Sequence, residues 1–318
     1  MKHTHHLFLI LFLATGLSGM YAQTNDSLPK KLVQYAAEKF PFTRLVNVEG
    51  QYNAPFSYTS KLGDGTTLPD SRINQMYQTR MSANVNFIKN RKWIFSTGLF
   101  YNYMYSETNS GGIGAGDHNL HYFATGISLT RMSTLFGKMA IYNASVIPTG
   151  GNEGFERVTG MVSGTLVLKA DATTKMTIGL LGIVDPSSII PITLTFSYEK
   201  RLKSGWIVDI IVPQRIFIKK DVFKDGRISL GTELNSTNFY INNFSGTGKT
   251  YMFNQMETLN GITYEHSFSR HFIATLKTGL KYIPASRIAE INHRFNDYAF
   301  SAQPDPNFYL NIGLSYKL

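Results

Sequence analysis

The stretch Phe308-Tyr309-Leu310-Asn311-Ile312-Gly313-Leu314-Ser315-Tyr316-Lys317-Leu318 alternates from end to end. Phe308, Leu310, Ile312, Leu314, Tyr316 and Leu318 are apolar or aromatic. Tyr309, Asn311, Gly313, Ser315 and Lys317 fill the odd positions. A period of two places the first set on one face of a strand and the second on the other. The same period returns from Arg44 onward. In Arg44 to Tyr58 it sets Val46, Val48, Tyr52, Ala54, Phe56 and Tyr58 against Asn47, Glu49, Gln51 and Asn53. In the segment ending at Tyr198 it sets Ile190, Ile192, Leu194, Phe196 and Tyr198 against Thr193, Thr195, Ser197 and Glu199.

Strands with one apolar and one polar face build either a soluble sandwich or a membrane barrel. Three features favour the barrel. The segments run longer than the usual five or six residues. Their second face is polar, whereas a sandwich packs a second apolar face against its partner sheet. The connections alternate between short and long, as in barrels with short periplasmic turns and longer outer loops. Charged residues are only 16% of the 318, and aromatic residues reach 13%, with 18 Tyr and 22 Phe. A wall that shows half its strand residues to lipid needs few charges and uses aromatic girdles. Outside the N-terminus no apolar run approaches the ~18 residues of a membrane helix.

The expected fold is therefore all-β: a transmembrane up-and-down antiparallel β-barrel over residues 43–318. It has 14 strands if Arg215 to Lys220 forms one, and 12 if it does not. Both termini then lie on the periplasmic side. Loops are expected at 63–65 with Pro69-Asp70, at Asn109–Asn119, and at Pro284–Pro306, the longest. The segment from Lys138 to Val146 reads as short, and Tyr251 to Ser267 alternates well only near its end. Pro213 is expected at a strand end or edge.

Residues 1–22 read as a secretory signal peptide: Lys2, then the apolar Leu7 to Leu13, then Gly16, Ser18 and Gly19, with cleavage after Ala22. Residues 23–42 read as a periplasmic lead-in with a short helix, opened by Pro29 and closed by Pro41. Leu32, Ala36 and Phe40 share one face of that helix.

The net charge of +10 comes from scattered Lys and Arg rather than a basic stripe, so no nucleic acid is expected as partner. No Cys is present, which removes disulfides, thiolate metal sites, Cys nucleophiles and lipid attachment at Cys. Ser245-Gly-Thr-Gly-Lys-Thr250 lacks the first glycine of a phosphate loop, since Asn243 stands there, and a strand follows where a helix is required. No nucleotide, cofactor or metal is expected. His118 and His121 fall on opposite faces of a strand. Ser267, Ser269 and His271 lie at a periplasmic turn, and no nucleophile elbow is present. The chain reads as a non-enzyme.

The inward face of the barrel carries Glu49, Arg80, Glu199, Asp209, Glu233, Glu257, Glu265, Lys277 and Lys281. Such mixed charges either pair and close a small barrel or line a narrow wet pore.

The terminal strand resembles the C-terminal assembly signal of Gram-negative outer-membrane barrels, in the form Asn311-x-Gly313-x-x-Tyr316-x-Leu318, with Leu318 where an aromatic is more usual. Phe40-Pro41…Arg44-Leu45-x-Asn47-Val48-Glu49, Trp206…Val212-Pro213 and this strand together resemble an uncharacterised family of outer-membrane barrels known only as a domain of unknown function. The resemblance implies a bacterial outer-membrane location, contact with lipid and lipopolysaccharide, and recognition of the last strand by the barrel-assembly machinery. It carries no active site. The first functional expectation is a passive pore or a small-solute or hydrophobic-compound transporter. A structural or adhesive surface barrel comes second and a lipid-modifying enzyme third. Arg at outward Leu314 or Phe196 is expected to cost about 2–4 kcal/mol at mid-membrane, and Arg at inward Ser315 or Ser197 far less.

Overall fold

The structure, a computed structural model, describes residues 40–41, 44–90, 92–109, 115–184, 192–246, 248–293 and 297–317. The expected signal peptide and helical lead-in fall almost wholly on residues 1–39, outside the described residues.

Among the described residues sixteen strands follow one another. The first eight are β1 (Val46–Asn53), β2 (Phe56–Leu62), β3 (Thr67–Lys89), β4 (Trp93–Thr108), β5 (Gly116–Leu135), β6 (Lys138–Gly151), β7 (Gly154–Ala170) and β8 (Thr174–Val184). The rest are β9 (Ile192–Arg201), β10 (Trp206–Val212), β11 (Arg215–Val222), β12 (Gly226–Asn242), β13 (Thr250–Ser267), β14 (Phe272–Glu290), β15 (Phe300–Pro304) and β16 (Asn307–Tyr316). Antiparallel ladders join neighbours in chain order from β3 to β14. The seam is closed by β1, which pairs with β3 on one side and β16 on the other, from Val46↔Tyr316 to Asn53↔Tyr309. In the same way β2 lies between β3 and β15. Thus β1 with β2 is one wall strand and β15 with β16 another, and the barrel is a closed ring of 14. Arg215–Val222 is one of them, which settles fourteen against twelve.

Outward side chains are apolar: Leu194 is 68% exposed, Phe308 66%, Ile192 65% and Ile312 61%. A continuous surface of this kind is incompatible with water. Aromatic rings mark both of its borders, as membrane interfaces favour. Tyr101 and Tyr103 lie toward the loop end, where they contact His121. At the short-turn end Arg131 lies over Trp93 and Lys220 over Trp206. The connections at this end have four residues or fewer. In one of them, Asp171 accepts from the backbone N–H groups of Thr173 and Thr174 at 2.8 and 2.9 Å. Those bonds hold its carboxyl well below the usual carboxylate range.

Strict alternation does not run the full height of the wall. At Ala54–Pro55 the strand skips one residue, so Phe56 and Tyr58 turn inward and are buried, opposite to the face expected beside Val46 and Tyr52. The ladder of β3 slips between Ile73 and Gln75, and β14 carries one extra residue between Tyr282 and Ala285, opposite Met256 and Thr258 of β13. A matching break stands at Asp305–Pro306. Each step reverses the faces above it, because the side-chain period is two. Above this level Ser57, Thr59, Lys61 and Gln303 face out and are exposed, while Phe56, Tyr58, Phe300 and Ala302 face in. The wall there has left the lipid. Pro69-Asp70 and Pro284 therefore belong to strands rather than loops, and the longest connection shrinks to 291–299. Likewise β6 runs on to Gly151, past the expected end at Val146.

The wall is uneven. The β10–β11 hairpin is short and turns at Pro213–Gln214, the strand end expected for Pro213, whereas β12 and β13 continue well above it. The β11 ladder leaves β12 at Glu233, with one further bond from Leu234 N to Gln214 O. Beyond that point β12 is paired, among the described residues, only with β13, and it leans across the lumen against β5 and β6. Thr237, Asn238, Phe239 and Tyr240 are all buried, so neither face of this segment meets solvent or lipid.

Candidate functional site

The candidate site is the lumen, and its side chains are layered. At the short-turn end Arg44 forms an ion pair with Glu265 and donates to Ser315 Oγ at 2.8 Å. Phe40 is buried there under the Arg227 guanidinium, 4.8 Å from its ring centroid. In the next layer Lys277 stands between Glu233 at 3.4 Å and Glu49 at 3.7 Å. Asn47 and Asn311 donate to the two oxygens of Glu49.

The layer above spans the lumen. Glu257 is fully buried, with Lys281 Nζ at 2.6 Å and Arg80 Nη2 at 2.5 Å. Arg80 also donates to Gln78 Oε1 and Thr237 Oγ1, and Gln78 donates to Asn102 and Thr237. Groups from β3, β4, β12, β13 and β14 thereby meet in one polar plane. Charges buried this deeply persist only when paired and hydrogen-bonded.

Of the inward residues expected from sequence, the structure joins Arg80, Glu257 and Lys281 in one cluster. It joins Glu49, Glu233 and Lys277 in a second. Asp209 lies apart on the short β10–β11 wall, 2.5 Å from Lys219 and 3.0 Å from Arg215. Glu199 pairs with Lys175 at 3.7 Å. In the terminal strand, a Cβ at Gly313 would come within 3.1 Å of Glu49 Cγ, so glycine there leaves room for the lumen carboxylate. Tyr316 packs edge-on against Phe272. Leu318 lies outside the described residues. His121 Nδ1 meets the Tyr101 hydroxyl at 2.7 Å on the outer face, and His271 Nδ1 meets the Lys317 carbonyl.

Above the ionic plane the lumen changes character. Phe56, Tyr58, Ile73, Met76, Met104, Tyr122, Ile147, Met161, Leu181, Phe239, Tyr240 and Met252 pack together there. Tyr122 stacks on Tyr240 at 6.0 Å, and the Tyr240 hydroxyl meets Thr149 Oγ1 at 2.7 Å. Alternation assigned apolar residues to lipid, so the sequence reading missed this inner cluster. Its trace in the sequence is the loss of alternation, as in Phe239-Tyr240-Ile241 and Tyr251-Met252-Phe253, where both parities are apolar.

A closed antiparallel wall with an apolar exterior, aromatic borders and a charged interior defines a membrane-spanning β-barrel protein. The chain belongs to the family described as Domain of unknown function (DUF6268), whose model matches residues 46–317. No curated protein matches the sequence. Among solved structures, it is similar to a FadL homologue of Pseudomonas aeruginosa, with 7% identity and a TM-score of 0.44 over 89% of this chain and 92% of that one. An outer-membrane channel from Pseudomonas putida F1 matches at 11% identity and a TM-score of 0.39, over 93% and 99% of the two chains. The outer membrane phospholipase A of Escherichia coli matches at 7% identity and a TM-score of 0.33, over 84% and 90%. Likeness at these scores does not extend to function.

Proposed function

We propose that the protein is an outer-membrane channel for small apolar compounds. One observation carries the reading: the loop end of the lumen is filled by methionine and aromatic side chains, where barrel interiors are ordinarily polar. Methionine is unbranched and adaptable, and it suits surfaces that accept varied apolar partners. The ionic plane beneath, centred on Glu257, opposes a standing column of water and ions. The outer leaflet's lipopolysaccharide is the barrier such a channel bypasses. The assembly machinery is the partner of the last strand.

The test is expression in a Gram-negative host with intact lipopolysaccharide, following entry of N-phenyl-1-naphthylamine, which fluoresces once in the inner leaflets. Dye entry is expected to speed up several-fold with sugar uptake unchanged, and the purified protein should give no steady conductance in a planar bilayer. Stepwise ion conductance with no gain in dye entry would replace this reading with a water-filled pore.

A further inference from the structure

Resting on that reading, we propose that the inner wall of β5 and β6 carries a binding site for a phenol-class aromatic solute, occupied in this structure by the chain's own Tyr240. Tyr240 is held as a ligand is held. It is 2% exposed, its ring stacks on Tyr122 at 6.0 Å with 22° between the planes, and its hydroxyl lies 2.7 Å from Thr149 Oγ1. A Cβ at Gly151 would come within 3.0 Å of Tyr240 Cβ, so the glycine makes space for the incoming group.

Socket and occupant differ in how they are fixed. Thr149 is laddered on both edges, to Ala124 of β5 and Arg157 of β7, while Tyr122 is laddered to Asn102 of β4 and Gly151 to Gly154 of β7. Asn152 ties the two strand ends together beside them, accepting from His121 N–H at 2.8 Å and donating to the Asn119 carbonyl at 3.1 Å. Tyr240 stands on the part of β12 that has left β11 and is laddered to β13 alone among the described residues. On that same segment Asn238 Oδ1 and Asn242 Oδ1 are buried with no hydrogen-bond partner among the described residues. Such groups mark packing that is incompletely satisfied. The segment can therefore give way while the socket keeps its shape.

The socket also selects. Thr149 Oγ1 donates to the Arg157 carbonyl at 3.3 Å, which leaves it an acceptor toward the ring hydroxyl. A solute with an O–H on its ring is favoured over an ether or a bare hydrocarbon of the same size, because a site built for a hydroxyl penalises its absence.

The experiment is calorimetric titration of the purified full chain with p-cresol (the tyrosine side chain itself), 4-methylanisole and toluene. Tyr240→Ala should bind p-cresol about tenfold more tightly than wild type, where the solute must displace Tyr240, and about tenfold more tightly than it binds the other two compounds. Thr149→Val on that background should erase the preference. Tyr240→Phe, which keeps the packing, should fall between wild type and Tyr240→Ala. Equal binding of the three compounds overturns the site. So does p-cresol binding confined to Tyr240→Ala and absent from wild type and Tyr240→Phe, the mark of an engineered hole. Dye entry in cells without p-cresol preference removes this site and leaves the apolar channel standing; p-cresol binding without dye entry does the reverse.

Discussion

Glu257 shows what one residue does in a barrel of this width. Its carboxylate serves Lys281 and Arg80 at once, and neither it nor Lys281 touches solvent. Glu257→Leu strands both cations, and a loss of about 3–5 kcal/mol is expected in urea unfolding of the micelle-folded protein. Replacing Glu257 by Leu together with Lys281 and Arg80 by Met should recover most of that loss; a triple variant as unstable as the single one would argue that the plane is not an ion-pair unit. On the outer face, Leu314 is 48% exposed to lipid, and Leu314→Arg should cost about 2–4 kcal/mol by the same measurement. The inward neighbour does not behave as the alternation alone implied. Ser315 is 1% exposed, donates to Asn47 and receives Arg44, so Ser315→Arg is not the inexpensive control that a water-lined position would provide.

At the scale of the element, the three strands that bound the tall side are built around glycine. Gly231, Gly261 and Gly279 stand in one row across β12, β13 and β14. A Cβ on Gly261 would lie 2.8 Å from Gly279 Cα, and backbone cannot yield as a side-chain tip can. Gly261→Ala should therefore cost about 1–3 kcal/mol in the same unfolding measurement, as overpacking does. Gly50→Ala, with open space around its Cβ, should stay near neutral. Equal effects at the two positions would show that the row can spread. The row lies just below the point where β12 parts from β11.

The whole molecule depends on closure. Deleting residues 307–318 removes β16 and leaves β1 and β14 with unpaired edges in lipid, where each unsatisfied backbone group is costly. No heat-modifiable folded band is expected on gels from such a truncation; a folded band would mean that the seam can close without it. The phase of the cleanly alternating strands and the lipid-facing stripe were legible from residues 43–318, and the number of staves only as fourteen or twelve, because the period of two is a local property of the chain. The exceptions Phe56 and Tyr58 lie beyond a step that only the register of neighbouring strands reveals. The filling of the lumen was not legible. Arg80 and Glu257 are 177 positions apart, and Thr149 and Tyr240 are 91 apart. No periodicity carries such pairings. Alternation, taken with strand length, a polar second face and the short–long connections, determined that this chain is a barrel and which face meets the membrane. Tertiary structure decided that the barrel is crossed by an ionic plane and occupied by its own β12, because contacts across a lumen are set by closure of the ring and not by neighbours along the strand.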